Sequence, residues 1–392
     1  MHIIDQLRAR GFVHQITDEA ALRAAIDAGP VTVYVGADPT AKSLHAGHLL
    51  PLLCLRWLAE AGLDPIVIVG GGTALIGDPT GKDKTRDMLT DADIAANKAA
   101  LTKQVRLFAP NARVVDNAEW LCGLGYVAFL RDIGQHFSVN KMLSAETFKM
   151  RLEREQGLSF IEFNYTLLQS YDFLELYRRY GCRLQIGGQD QWFNIISGCD
   201  LIRRLEGVEA WGLTIPLLTT SDGKKMGKTA GGAWFLDPEM LSPYHYFQNW
   251  LNVDDQDVQK LLQLYSYLPL DEIAALVVKD IRAAKRVLAV EATAVVHGRE
   301  AAVAADEAAK AVFAGGASAD MPEIVCTVGM PVIAALVQAG FAKSNSEARR
   351  AIEGGSVSMG SEKITDVKAV LEVPGVLWSG KKRAVKIVFA CG

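Results

Sequence analysis

The chain has 392 residues, half of them hydrophobic and 22% charged, with 41 Lys+Arg against 45 Asp+Glu for a formal net charge of -4. This is a globular composition with enough apolar material for two or three domains, and it excludes a uniformly basic nucleic-acid glove. The six cysteines are scattered without a CxxC pair, which reads as reduced core thiols rather than a disulfide scaffold or a zinc site.

The opening Met1-His2-Ile3-Ile4-Asp5-Gln6-Leu7-Arg8 lacks the uninterrupted apolar core of a signal peptide, and no apolar run approaches a membrane span. A soluble, cytoplasmic protein is expected. Short β-branched runs then alternate with helical stretches, as in a parallel α/β sheet. Strands are predicted at Val31–Gly36, Pro65–Gly70, Arg113–Val115, Leu184–Gly187 and Leu213–Leu218, with clear amphipathic helices at Leu49–Ala61 and Asn164–Tyr180. Near Trp234 the strands stop. Ser242 to Phe313 reads as helical, Gly315 to Pro322 as a linker, and the tail as short helices including Ser346–Gly354 followed by β-like runs ending in Val385–Phe389. The tail is basic: from Pro331 onward there are 9 Lys/Arg and 5 Asp/Glu, against 32 and 40 in the remainder. A polyanion is therefore expected to meet that end.

Three segments could carry chemistry. The first is Asp38-Pro39-Thr40-Ala41-Lys42-Ser43-Leu44-His45-Ala46-Gly47-His48, directly after the first strand, where α/β sheets bind ligands. A helix starting near His45 puts His45 and His48 on one face, with Gly47 leaving room for a ring or phosphate and the helix N-terminus favouring an anion. Two imidazoles and the Thr40 hydroxyl could stabilise charge developing on a phosphate. In isolation the segment is also compatible with a plain helix start, and HxxH lacks a third metal ligand at suitable spacing.

The second is Ser221-Asp222-Gly223-Lys224-Lys225-Met226-Gly227-Lys228-Thr229. Lys225 and Lys228 suit a polyphosphate that is held and released. Gly227-Lys228-Thr229 imitates the end of a P-loop, but the required first glycine is Asp222, so that reading fails. Gly70-Gly71-Gly72 fails the dinucleotide fingerprint because its third glycine position is Leu75. The third segment places Tyr165, Gln169 and Asp172 at i, i+4 and i+7, a polar stripe fit for a small polar ligand or for solvent. Close by, Gly187-Gly188-Gln189-Asp190-Gln191-Trp192 could present Asp190 to a ribose, or simply cap a helix.

In this order the pieces resemble one family, the bacterial tyrosyl-tRNA synthetases of class I. The likeness runs through Tyr34-Val35-Gly36-Ala37-Asp38-Pro39-Thr40, His45-Ala46-Gly47-His48, Gly77-Asp78-Pro79-Thr80-Gly81-Lys82, Tyr165…Gln169…Asp172, Gly187 to Trp192 and Lys225-Met226-Gly227-Lys228-Thr229. Ser344-Asn345-Ser346-Glu347-Ala348-Arg349-Arg350 with Gly355-Ser356-Val357-Ser358-Met359 looks like the S4-type RNA-binding module of such enzymes. The resemblance implies a Rossmann-like catalytic domain over 1–230, a helical anticodon-binding domain with linker over 231–318, and an S4-like α+β domain over 319–392. It implies attack of the tyrosine carboxylate on the α-phosphate of ATP and transfer of the tyrosyl group to tRNA(Tyr); Mg²⁺ with the ATP follows from the phosphate chemistry. No tightly bound cofactor and no protein metal site are expected.

By position, the resemblance assigns Thr40, His45 and His48 to the ATP phosphates, and Lys225 and Lys228 to the leaving pyrophosphate. Asp190 goes to the ribose, and Gly36, Asp38 and Gly188 to the nucleotide's surroundings. Tyr165, Gln169 and Asp78 would receive the substrate's ammonium group, Gln191 its carboxylate region, and Tyr34 with Asp172 its phenol. The signatures depart from the commoner forms at Ala46, where Ile is usual, and at Gly227 and Thr229, where serines are usual. The family implies a homodimer. Two other readings stand beside this one: a class I-like nucleotidyltransferase, disfavoured by the long helical region and S4-like tail, and a non-catalytic RNA-binding descendant, disfavoured by intact His45, His48, Lys225 and Lys228.

Overall fold

The computed structural model describes residues 1–78, 89–154, 157–221, 226, 228–229, 232–313, 323–342, 344–360, 362–380 and 383–389. The predicted linker Gly315 to Pro322, the motif beyond Asp78, and Lys225 lie outside the described residues. The chain forms two compact units, Met1–Leu241 with Val253–Leu288, and Ser242–Asn252 with Ala289–Gly392.

The first unit is built on six strands: β1 (Gln15–Ile16), β2 (Thr32–Ala37), β3 (Asp64–Val69), β4 (Arg113–Asp116), β5 (Leu184–Gly188) and β6 (Trp211–Ile215). Their order is β1-β6-β5-β2-β3-β4, parallel except for the short edge strand β1. The order reverses between β2 and β5, the switch point where such sheets open a crevice at their carboxyl ends. Through this unit run α1 (Ile3–Arg10), α2 (Glu19–Ala28), α3 (Ala46–Glu60) and α4 (Asp91–Phe108). The short helices α5 (Ala118–Leu121), α6 (Tyr126–Asp132), α7 (Val139–Leu143) and α8 (Glu146–Glu153) follow, then the long α9 (Phe160–Tyr180) and α10 (Trp192–Glu206).

Both faces of the sheet are covered, which is why Pro65-Ile66-Val67-Ile68-Val69 reads as an unbroken apolar run rather than an alternating one. Helix α3 packs across β2, β3 and β5. On the other face Tyr34, Ile66 and Ile68 meet Phe173 and Leu174 of α9 and Leu201 and Ile202 of α10. Helix α9 starts on a capping box in which the Ser159 side chain accepts from the Glu162 N–H, and it stops at Gly181, φ 64°.

The five predicted strands and two predicted helices are present with shifted ends. Among the strands the largest shift is β6, which begins at Trp211 rather than Leu213 and ends before Pro216; α9 begins at Phe160, four residues before the predicted Asn164. Gly212 lies inside β6 because a Cβ there would meet Ile195 of α10 at 2.2 Å. The first unit also contains a hairpin, β7 (Lys228–Thr229) with β8 (Gly232–Ala233).

Helix α11 (Pro243–Leu251) belongs to the second unit, whereas α12 (Val258–Tyr265) and α13 (Leu270–Lys279) belong to the first; α14 (Ile281–His297) and α15 (Arg299–Phe313) complete the helical stretch. The tail is a five-stranded sheet of β9 (Glu323–Cys326), β10 (Val357–Met359), β11 (Glu362–Lys363), β12 (Gly375–Ser379) and β13 (Arg383–Phe389), ordered β11-β10-β12-β13-β9. Helices α16 (Val332–Gln338) and α17 (Asn345–Glu353) share its core through Leu336, Ile352, Leu377 and Ile387. Among the described residues no helix is long and apolar enough to cross a membrane.

Candidate active site

The loops after β2, β3, β4 and β5 converge with α9 at the switch point. His45 is the N-cap of α3, and its Nδ1 accepts from the Gly47 N–H at 3.1 Å. With Nδ1 used as an acceptor, the neutral ring carries its proton on Nε2. The ring stacks on His48, centroids 3.7 Å apart and planes at 15°. Gly47 leaves the ring room: a Cβ there would lie 3.1 and 3.2 Å from the His45 ring, which would have to yield slightly. Thr40 sits in the turn after β2, its N–H bonded to the Asp38 carbonyl at 2.8 Å.

Asp38 is a hub. Its Oδ1 accepts from Thr73 Oγ at 2.7 Å and its Oδ2 from the Tyr165 hydroxyl at 2.9 Å. Burial, and then the neighbouring Asp38 charge, push the Tyr165 phenol well above its ordinary range, so it stays a neutral donor. Asn117, just past β4, accepts from the Gly72 N–H at 2.8 Å. Its amide nitrogen donates to Thr73 Oγ and to Asp172 Oδ2, both at 2.9 Å. The Trp120 indole donates to the other Asp172 oxygen at 2.7 Å.

Asp172 is therefore a buried carboxylate, 4% exposed, with both oxygens held by donors. Burial pushes it up to about 7; the Asn117 and Trp120 hydrogen bonds oppose this, and the Asp38 and Asp116 charges add to it. Tyr34, on the same face of the sheet and packed on Phe173 with centroids 5.1 Å apart, is 2% exposed. Among the described residues its hydroxyl has no hydrogen-bond partner. Burial, reinforced by Asp172, also drives its phenol well above the usual range. A buried hydroxyl without a partner beside a buried carboxylate is unfavourable unless a third polar group joins them.

The remaining polar groups form a chain across the crevice. Gln191 Nε2 donates to Asp78 Oδ2 at 2.8 Å, and Asn194 Nδ2 donates to Gln169 Oε1 at 2.9 Å and to Gln191 Oε1 at 3.3 Å. Asn194 is in turn fixed by Thr166, whose hydroxyl donates to its Oδ1 at 2.8 Å. Asp190 is exposed beyond β5, and a Cβ at Gly188 would come within 2.6 Å of its carboxylate. Gly36 faces open space, with nothing within 4 Å of a Cβ built there.

Residues 27–314 match the family described as tRNA synthetases class I (W and Y), and residues 313–377 the tyrosine–tRNA ligase SYY-like C-terminal domain. The chain is similar to the tyrosine–tRNA ligase of Xanthobacter autotrophicus, 50% identical over 94% of this chain and 91% of that one. It is equally similar to that of Zymomonas mobilis, 50% identical over 94% and 92%. It belongs to the tyrosyl-tRNA synthetases. Among solved structures, a C-terminally truncated mitochondrial tyrosyl-tRNA synthetase of Aspergillus nidulans is similar with a TM-score of 0.72 and 29% identity, over 80% of this chain and 94% of that one.

Of the residues singled out from this synthetase sequence, Tyr34, Gly36, Asp38, Thr40, His45, His48, Asp78, Tyr165, Gln169, Asp172, Gly188, Asp190 and Gln191 are all described. Polar contacts join Asp38 to Tyr165 and Gln191 to Asp78, and link both Gln169 and Gln191 to Asn194. Lys228 lies on β7, but its side chain, like all of Lys225, is outside the described residues. Sequence reasoning missed Thr73, Asn117, Trp120 and Asn194. Asn117 had a usable signal, since it directly follows a parallel strand, as the chosen motifs do.

Proposed function

We propose that this tyrosine–tRNA ligase reads the substrate's phenol with Asp172 and Tyr34 and stabilises phosphate charge with His45 and His48. The observation that carries the reading is the buried Asp172 carboxylate, oriented by Asn117 and Trp120, beside the unpartnered Tyr34 hydroxyl. The tyrosine hydroxyl donates to Asp172 and accepts from Tyr34, and phenylalanine leaves both unsatisfied. Tyr165, Gln169 and Asp78 receive the ammonium group, and Gln191 orients the carboxylate. Asp190 takes the ribose, with Gly36 and Gly188 leaving room for the nucleotide.

The carboxylate oxygen attacks the α-phosphorus of MgATP, and the bond to the bridging oxygen breaks with its electron pair leaving on pyrophosphate. His45 Nε2–H, His48 and the Thr40 hydroxyl donate to phosphate oxygens as negative charge builds. Lys225 and Lys228 hold the pyrophosphate. A terminal ribose hydroxyl of tRNA(Tyr) then attacks the tyrosyl carbonyl and AMP departs. Positioning supplies most of the acceleration, since no covalent enzyme intermediate is involved.

The same reading assigns catalysis to 1–230, anticodon binding to 231–318 and RNA binding to 319–392. It is supported by the exposed Arg349 and Arg350 on α17. It places the enzyme in the cytoplasm as a homodimer. Exposed Tyr126, Val127, Phe160 and Ile161 on α6 and at the start of α9 are large apolar groups that a second copy could cover.

The test is tyrosine-dependent ATP–pyrophosphate exchange by variants. His45→Ala is expected to slow exchange with tyrosine affinity retained, and Asp172→Ala to lose about 10- to 100-fold in selectivity over phenylalanine. Unchanged selectivity in Asp172→Ala would remove it from the phenol site.

A further inference from the structure

Two buried side chains at opposite ends of α12 reach the backbone of the catalytic loops, and the mechanism above uses neither. The Tyr265 hydroxyl, on a side chain 1% exposed, donates to the Ala46 carbonyl at 2.8 Å. Ala46 follows His45, and its own N–H donates to the Trp234 carbonyl at 3.0 Å. Leu236 N–H donates to the Leu44 carbonyl at 2.9 Å, and His45 pairs with Phe235 in an isolated antiparallel bridge. The peptides around His45 are thus held by an extended segment on one side and a phenol on the other.

At the other end of α12, Asp257, 8% exposed, accepts from the Ser221 N–H at 3.0 Å. Ser221 is the residue from which the lysine-bearing segment begins. The helix itself is fixed in place. The Arg10 guanidinium, 5% exposed, donates to the carbonyls of Gln263, Ser266 and Leu268 at 3.1, 3.1 and 2.8 Å. A phenylalanine would fill the space of Tyr265 without reaching Ala46, so the hydroxyl's contribution is orientation rather than packing.

We propose that Tyr265 and Asp257 are positioning residues for adenylate formation: α12 holds the His45 turn and the backbone at Ser221 in a fixed relation. The inference rests on the phosphate role proposed above for His45 and His48. Transition-state donors fixed before reaction lose effectiveness when they shift by a fraction of an ångström, whereas ground-state binding through other groups is spared. The consequence is a change in kcat without a change in tyrosine affinity.

The experiment measures ATP–pyrophosphate exchange for the full chain and for Tyr265→Phe, Asp257→Ala, Asp257→Asn and His45→Ala, at a temperature well below every variant's unfolding midpoint. Tyr265→Phe and Asp257→Ala are each expected to lose about 3- to 10-fold in kcat with the KM for tyrosine unchanged. Asp257→Asn keeps an oxygen that accepts from Ser221 N–H and is expected to stay near the parent. A purely structural role predicts lower unfolding midpoints with unchanged kcat in both Tyr265→Phe and Asp257→Ala, and that result would overturn the proposal. So would a raised KM for tyrosine at constant kcat. If His45→Ala leaves kcat intact, the site reading itself fails. If His45→Ala is slow while Tyr265→Phe and Asp257→Ala are not, only the positioning role fails.

Discussion

At Asp172 the burial on which the proposed phenol recognition depends also resists ionisation. Burial holds the carboxylate at about 7 instead of its ordinary 3.8, so it takes up a proton as the pH falls through neutrality and loses the charge that, in the proposed role, receives the phenol hydrogen. The KM for tyrosine is therefore expected to rise, and the preference over phenylalanine to narrow, from about pH 8 to about pH 6. Steady-state exchange at both pH values checks this. The linkage to stability has the opposite sense. Between 3.8 and about 7 the folded protein holds a proton that the unfolded chain has released, so this group's contribution to stability falls as pH rises through that window. Thermal midpoints of the parent and Asp172→Ala across that range should differ in slope accordingly. At Gly47 the contest is between helix and ring. Gly47→Ala improves helix propensity but presses on the His45 imidazole, so it is predicted to keep or raise the thermal midpoint while lowering kcat by about 3- to 10-fold.

Elements with tertiary cover on both sides were the most legible in the sequence. The runs at Val31–Gly36 and Pro65–Gly70 correspond to β2 and β3 shifted by one residue, because burial on both faces leaves an apolar run that flanking Gly and Asp interrupt. β1 was not legible: two residues, Gln15 and Ile16, carry no period, and their pairing with Thr214 and Leu213 is a tertiary event. The strand predicted from Leu213 starts two residues earlier, and what fits a glycine inside it at Gly212, Ile195 of α10, lies across the fold. In the site, motifs contiguous in sequence were visible, including His45 with His48 and the Tyr165, Gln169, Asp172 stripe. The groups that orient them were not. Asn117 and Trp120 reach Asp172 across more than fifty residues of chain, and Tyr265 reaches Ala46 across 219, separations at which spacing carries no information.

On the scale of the whole molecule, the synthetase combines an acidic body with a small basic module, and the division predicts separable steps. Truncation after Gly316 is expected to spare adenylate formation and impair tRNA charging; normal charging by the truncated chain would remove the RNA role from the tail. Phe160→Asp puts a charge on a residue 68% exposed at the start of α9. If this apolar surface is the interface between copies, sedimentation should show dissociation that the parent does not undergo at the same concentration; equal oligomeric states would place the interface elsewhere. Selection of tyrosine by a buried carboxylate and phenol for attack on ATP is checked by exchange of pyrophosphate into ATP with tyrosine, tryptophan, phenylalanine or no amino acid. Exchange with tyrosine alone is expected. Exchange with tryptophan, or equal exchange with phenylalanine, would contradict the pocket formed by Tyr34 and Asp172.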